Sequence, residues 1–366
     1  MKRILALVLA LTMALCLVAC GGNEEEGLKV GVFYYTYDDT YIASVRAALD
    51  SELNAMGVSY TNYDCKNDQA TQNDYVTTAI TNGCNLLIVN LVNSGKADAA
   101  KKILELAGDV PVIFFNRAVE GDGEEGKVLG AFDNACFIGT DAPEAGHMQG
   151  KMVGDYVLAN FDKLDLNKDG KISYAMFKGE EGNAEAIYRT QFGVEDADKV
   201  LTAAGKPALE YFDAANTSKY QVDQKGAWST EAALNYMTTN LASFNETNNN
   251  MIELVICNND GMAEGVVQAL VAAGYNLGTA DCTTIPVFGV DATASAQELI
   301  RAGKMTGTVK QDAEGMAKAI AQTVKGVSEG TALVTALAAV ANSSDIYSLA
   351  EGVASKLYVA YAPFTA

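Results

Sequence analysis

The chain has 366 residues, enough for two domains of ordinary size with substantial cores, and 49% of them are hydrophobic. Its 46 acidic residues outnumber 26 basic ones, giving a formal net charge of -20, which argues against nucleic acid and against anionic lipid faces because both reward cations. An acidic coat does not single out a ligand.

Lys2 and Arg3 precede an apolar run from Ile4 to Val18 that ends in Leu17-Val18-Ala19-Cys20. At about fifteen residues the run is short of the ~20 that cross a bilayer as a helix, and Gly21-Gly22 follows it in place of a basic flank. This is the pattern of a bacterial lipoprotein signal over residues 1–19. Cleavage before Cys20 leaves that residue lipidated, and 20–27 forms a polar tether. The protein is therefore expected outside the cytoplasmic membrane, held to it through the lipid anchor only; an uncleaved anchor would alter the tether but not the location. With Cys16 removed, Cys65, Cys84, Cys136, Cys257 and Cys282 remain. An odd number precludes complete pairing, and three lie in or beside apolar runs where cysteine serves as a small core residue. No disulfide framework is read, with Cys65 and Cys282 left open.

From Leu28 short β-rich runs alternate with helical stretches: Lys29 to Tyr34, Tyr41 to Met56, Ser59 to Tyr63, Asp68 to Thr81, Leu86 to Leu91, Ala97 to Ala107, Val110 to Phe115 and Phe137 to Gly139. A second series follows at Ile172 to Phe177, Ala208 to Phe212, Leu254 to Cys257 and Val287 to Val290. Apolar strands separated by helix-length segments imply parallel sheet covered on both faces, hence an α/β chain of two doubly wound lobes. Ligands of such sheets bind at the carboxyl ends of the strands. Phosphate motifs are missing: Gly95-Lys96 lacks the upstream glycine of a P-loop, and no Gly-x-Gly-x-x-Gly follows the first strand. His147, the sole histidine, falls in a helical run and is read as a packing or surface residue.

Two constellations carry chemistry. Asp165, Asn167, Asp169 and Ser173 supply oxygens at positions 1, 3, 5 and 9 of an EF-hand-type loop, with Lys171 offering its carbonyl at position 7 and Gly170 at the sharp turn. The usual glutamate at position 12 is absent, so on the loop alone a solvated Asp/Asn turn competes on equal terms with a cation site. Secondly, strand ends are polar and aromatic: Tyr34 to Tyr41 closes the first strand, Asn116 follows Phe114-Phe115, and Asn258-Asn259-Asp260 and Val290-Asp291 close two others. Planar amides and carboxylates pair with hydroxyls, while a flat ring packs on the C–H face of a sugar. Each alone is an ordinary cap or turn residue; their recurrence is the signal.

These residues match a family. The chain resembles the periplasmic D-galactose/D-glucose-binding proteins, solute receptors of methyl-galactoside ABC importers, over essentially its whole mature length. The shared stretches include Tyr37-Asp38-Asp39, Asn67-Asp68-Gln69, Val112 to Asn116, Gly139-Thr140-Asp141, Asp165 to Gly170, Lys178-Gly179-Glu180, Asn258-Asn259-Asp260 and Ile285 to Ala292. The resemblance implies a type I periplasmic binding protein fold with a hinge, the first lobe over 28–138 plus about 313–348 and the second over 139–312 plus about 349–366. It also implies a structural calcium ion, with Glu253 supplying the missing carboxylate and Ser173 standing where glutamine is usual. Carried over by position, Tyr41 and Trp228 sandwich the sugar, and Asp39, Asn116, Arg189, Asn259 and Asp291 make polar contacts. Departures fall at Asn183 and Glu185, where the family has Gly-His-x-Asp, at Gln311 in place of asparagine, and at Tyr41 in place of phenylalanine.

The expected function is capture of a monosaccharide of galactose or glucose type between the lobes and its delivery to an ABC permease with a separate ATPase. The alternative is a sugar sensor that signals through a membrane partner such as a chemoreceptor. Asp39 and Asp291 resemble a glycosidase acid/base pair, yet a pocket rich in amides and arginine suits binding better than an oxocarbenium ion, so no enzyme is read.

Overall fold

The computed structural model describes residues 27–121 and 123–365; the signal segment, with Cys16 and Cys20, lies outside the described residues. Five strands open the chain: β1 (Lys29–Tyr34), β2 (Ser59–Asp64), β3 (Leu86–Val89), β4 (Val112–Phe115) and β5 (Ala135–Gly139). Helices α1 (Thr40–Ala55), α2 (Gln69–Thr81) and α3 (Ala97–Ala107) connect them. Every residue of β3 and β4 is buried, as expected for central parallel strands covered on both faces. On α3, Ala99, Ala100, Ile103, Leu104 and Ala107 recur at helical spacing and turn inward.

The second series begins with α4 (Ala142–Leu164) and continues through β6 (Ser173–Lys178), α5 (Ala184–Ala203), β7 (Glu210–Tyr211), β8 (Gln221–Val222) and α6 (Thr230–Ser243). It is completed by β9 (Leu254–Cys257), α7 (Asp260–Ala272), β10 (Val287–Asp291), α8 (Ala294–Arg301) and β11 (Gly307–Lys310). The chain then returns to the first lobe as α9 (Ala313–Ser328), α10 (Leu333–Ala341), β12 (Tyr347–Ala350) and β13 (Val353–Val359), and ends in the second with β14 (Ala362–Thr365). The sheets run β12-β13-β5-β4-β3-β1-β2 and β14-β11-β10-β9-β6-β7, with β8 also paired to β6. Both are parallel except at the edge strands β12 and β14. Two doubly wound lobes are thus observed.

The lobe boundary differs from expectation at the C-terminal end. Residues 349–359 belong to the first lobe, and the last crossing falls at 360–361. The alternating burial of β13, with Ser355, Leu357 and Val359 inward, fits it to the free edge of β5 in parallel, Leu357 opposite Ile138. Three crossings therefore join the lobes, at residues 140–141, 311–312 and 360–361.

One packing feature places the site. Gly146, Gly150 and Gly154 line one face of α4, and a Cβ at Gly150 would stand 2.1 Å from the Phe192 carbonyl oxygen of α5. Their bare backbones let α5, which carries Glu185 and Arg189, seat directly on α4. The five cysteines are free, four of them buried. No helix among the described residues is long and apolar enough to cross a membrane.

Candidate functional site

Asp39, Tyr41, Asn116, Asn183, Glu185, Arg189, Trp228, Asn259, Asp291 and Gln311 all line one cavity between the lobes, together with Tyr35 and Arg117. The cavity sits over the carboxyl ends of β1 and β4 in one sheet and of β6, β9 and β10 in the other.

Three of these residues are helix N-caps. Asp39 accepts the Ile42 amide of α1 at Oδ1 (2.9 Å) and the Tyr35 hydroxyl at Oδ2 (2.6 Å). Asn183 Oδ1 accepts the Ala186 amide of α5 (3.3 Å), and Asn259 Oδ1 accepts the Met262 amide of α7 (2.9 Å). Capping fixes each rotamer and aims three helix N-termini, with their partial positive charge, at the cavity. Asn116 Oδ1 accepts from Asn90 Nδ2 (3.1 Å).

Charge concentrates on the second lobe. Arg189 and Glu185, one turn apart on α5, pair at 2.8 Å, and Arg189 Nη1 donates to the Asn258 carbonyl (2.9 Å) and lies 4.0 Å from Asp291. Arg189 Nε and Asp291 Oδ2 are buried without a partner. Burial pushes the Asp291 carboxyl well above the carboxylate range, against the pull of Arg189.

Asp291 (φ 127°), Trp228 (φ 55°) and Asn116 (φ 59°) occupy left-handed backbone, a strain of about 1–3 kcal/mol each that persists where surrounding structure enforces it. Asp260 does so beneath Asp291: it accepts the Thr293 amide (2.8 Å) and the Thr308 hydroxyl (2.6 Å), and burial pushes its carboxyl up to about 7. The Trp228 indole lies on Gly179, where a Cβ would come within 2.1 Å of the ring, and its Nε1 donates to Glu180 (3.4 Å). Tyr41 forms part of the first lobe's wall, its hydroxyl meeting the Met316 sulfur at 3.9 Å.

Sequence reasoning missed the residues that close the mouth. Arg117 Nη2 donates to Glu180 of the opposite lobe at 2.7 Å, and its guanidinium lies 4.1 Å from the Tyr35 ring centroid. Their sequence signal was adjacency: Arg117 follows Asn116, and Glu180 follows the glycine beneath the tryptophan.

A model of the periplasmic binding protein domain matches residues 30–332. The D-galactose/methyl-galactoside binding periplasmic protein MglB of Haemophilus influenzae is 32% identical over 328 residues, covering 89% of each chain. The chain belongs to the periplasmic binding protein family. Two solved structures share the fold: an ABC transporter solute-binding protein from Bacillus halodurans with bound myo-inositol (TM-score 0.64, 22% identity, 94% of this chain and 96% of that one) and one from Actinobacillus succinogenes with bound D-allose (TM-score 0.64, 20% identity, 92% and 97%). Like its relatives, this periplasmic binding protein is a receptor for a solute and not an enzyme.

The second constellation behaves differently. Glu253, 1% exposed, does lie against the 165–173 loop, accepting the Leu166 amide at Oε1 (2.7 Å) and the Ser173 amide at Oε2 (2.9 Å). Burial raises its carboxyl above the ordinary value, and Asp165 adds to the effect. Asp165 accepts the amides of Asp169 and Gly170, Asn167 that of Asp169, and Asp169 that of Lys171. The side chain of Lys171 pairs with Glu210 (2.6 Å), and the Ser173 hydroxyl donates to the Met251 carbonyl (2.6 Å), so it is engaged outside the donor set. Among the described residues no three His, Cys, Asp or Glu side chains converge as a metal site. Two aspartates, an asparagine and a buried glutamate adjoin one another here, with their oxygens accepting backbone amides. His147 is half exposed, stacked on Phe192 with ring centroids 3.9 Å apart and bonded to Asp196, the surface role expected of it.

Proposed function

We propose that this protein captures a monosaccharide of the galactose or glucose type outside the cytoplasmic membrane and delivers it to an ABC importer. The observation that carries the reading is the unpartnered pair Arg189 Nε and Asp291 Oδ2, a donor and an acceptor buried in a cavity walled by Tyr41 and Trp228. A buried polar group without a partner costs about 1–3 kcal/mol, and a ring of hydroxyls with one apolar face answers both atoms and both aromatic walls. The galactose relative supports the sugar type, and the solved relatives, titled with myo-inositol and D-allose, keep the test broad. Sugar contacts with both lobes favour the closed state, which a permease then recognises. Retention at the membrane would depend on Cys20.

Titration of the mature protein against D-galactose, D-glucose, D-ribose, D-allose and myo-inositol is expected to give micromolar or tighter binding to D-galactose or D-glucose, with a fluorescence change from Trp228, the only tryptophan. Tighter binding of another member would correct the sugar type. Binding to none would overturn the reading.

The proposal extends to calcium on the 165–173 loop. Asp165, Asn167, Asp169, the Lys171 carbonyl and Glu253 would hold it, and the ion would neutralise carboxylates that otherwise repel one another. Chelation is expected to lower the melting temperature. An unchanged melting curve in EDTA, with no calcium in the purified protein by elemental analysis, would leave the loop a hydrogen-bonded turn.

A further inference from the structure

The three crossings between the lobes meet in one hydrogen-bonded node. Thr140 lies on the first, Gln311 on the second and Tyr361 on the third, and all three are buried. Thr140 Oγ1 donates to Glu185 Oε1 (3.0 Å) and accepts from Gln311 Nε2 (3.2 Å). The Tyr361 hydroxyl donates to Glu185 Oε2 (3.0 Å), lies 2.9 Å from Thr140 and accepts from Arg189 Nη2 (3.0 Å). Arg189 Nη2 also donates to Glu185 Oε2 (2.8 Å) and Gln311 Oε1 (3.2 Å).

Resting on the monosaccharide reading, we propose that Tyr361 and Thr140 are positioning residues: they hold the Glu185 carboxylate at the cavity wall as a brace of the hinge, with Oε2 occupied, and leave Arg189 as the charged group that meets the ligand. Both Glu185 oxygens are engaged, Oε2 twice. A sugar hydroxyl competing for Oε2 must displace Arg189 or Tyr361, and either displacement leaves a buried donor unpaired, while Oε1, held by Thr140, keeps one lone pair. Arg189, by contrast, keeps an unpartnered Nε in the cavity. Burial, and then the nearby Glu185, raise the Tyr361 hydroxyl well above its ordinary value, so it remains a donor at neutral pH. Because the node contains one residue of every crossing, rotation of the lobes and the aim of Arg189 are set by the same atoms. Carboxylate length is part of the design: from its place on α5, Glu185 spans to hydroxyls on two crossings.

The test uses the full mature protein with Tyr361→Phe, Glu185→Gln and the double variant, and Thr140→Val as a milder probe. Melting without sugar reads the node. The two single shifts are expected to be non-additive in the double variant, and additive shifts overturn the node whatever the ligand. Titration with the sugar panel reads the positioning. Tyr361→Phe is expected to bind about tenfold more weakly and, with Glu185 Oε2 released toward the cavity, to rank the sugars differently; Thr140→Val follows in the same direction by a smaller factor. A Tyr361→Phe protein with lowered melting temperature but wild-type affinity and ranking overturns the proposal, since its role is then only structural. Wild type that binds no sugar while the melting shifts remain coupled overturns the monosaccharide reading, and with it the positioning of Arg189 for a sugar, but not the hinge brace.

Discussion

The first lobe meets the cavity with Asp39, Tyr41 and Asn116 and backs them with neutral buried amides: Gln72 Nε2 donates to the Asn90 carbonyl, and Asn90 holds the Tyr35 amide and Asn116. The second lobe meets it with Asn183, Glu185, Arg189, Trp228, Asn259 and Asp291 and backs them with a buried carboxyl, Asp260. One architecture thus carries two electrostatic designs. A floor of amides is satisfied whatever occupies the cleft, whereas a floor of charges is complete only when a ligand with the right hydroxyls arrives. The second lobe seats and selects; the first covers.

The sharpest way to break this comparison is to remove one polar group from each side. Asp291→Asn keeps the shape and a residue type tolerant of positive φ but puts an NH2 group where a carboxyl oxygen lies beside Arg189, and leaving a buried group without its partner costs about 1–3 kcal/mol. Affinity by titration calorimetry is expected to fall about 10- to 100-fold for Asp291→Asn and at most about tenfold for Asn116→Ala. Equal losses would contradict the asymmetry.

The aromatic walls should divide the same way. Trp228→Ala is expected to weaken binding by more than about tenfold, through lost ring area and stacking. Tyr41→Phe keeps the ring and loses only a hydroxyl facing the Met316 sulfur, so its affinity should stay within about twofold of wild type. A larger effect at Tyr41 would mean its hydroxyl bonds the sugar directly.

The smallest effect is one of pH. Asp260 holds its proton up to about 7 when folded, while an unfolded aspartate releases it near 4. Across that window the folded state binds more protons, so this group's contribution to stability declines as pH rises. Melting at pH 5 and pH 8 should therefore show a slope that Asp260→Asn reduces, whereas the neutral pair Gln72 and Asn90 contributes none. An identical slope in the variant would place the titration elsewhere.

Asp39, Tyr41, Asn116, Asn259 and Asp291 were legible because strand ends and caps are local patterns, whereas Asn183, Glu185, Arg189, Trp228 and Gln311 were reached only through the family resemblance. The family match then gave those positions roles. Arg117, Glu180, Thr140 and Tyr361 were not legible as site residues, since each acts across a lobe or crossing and its own neighbourhood says nothing of the partner. The C-terminal boundary was misplaced for a related reason. Strands β12 and β13 follow α10 with no helix between them, so nothing local tells which sheet offers them an edge; the open side of β5 decides it. Of the loop at 165–173, the family resemblance placed Glu253 beside it, but nothing in the sequence showed that the Ser173 hydroxyl would be engaged by Met251.

The caps Asp39, Asn183 and Asn259 have a consequence for how such a receptor can acquire new ligands. Each must start a helix as well as face the cleft, so exchange is confined to Ser, Thr, Asp, Asn and Gly unless about 0.5–2 kcal/mol of helix stability is given up. Three quarters of the amino-acid alphabet is closed at three positions before any ligand is considered. Libraries that hold these three fixed and vary Asn116, which caps no helix and lies outside the hinge node, would explore specificity without eroding the scaffold, and diversification across natural relatives should have followed the same path.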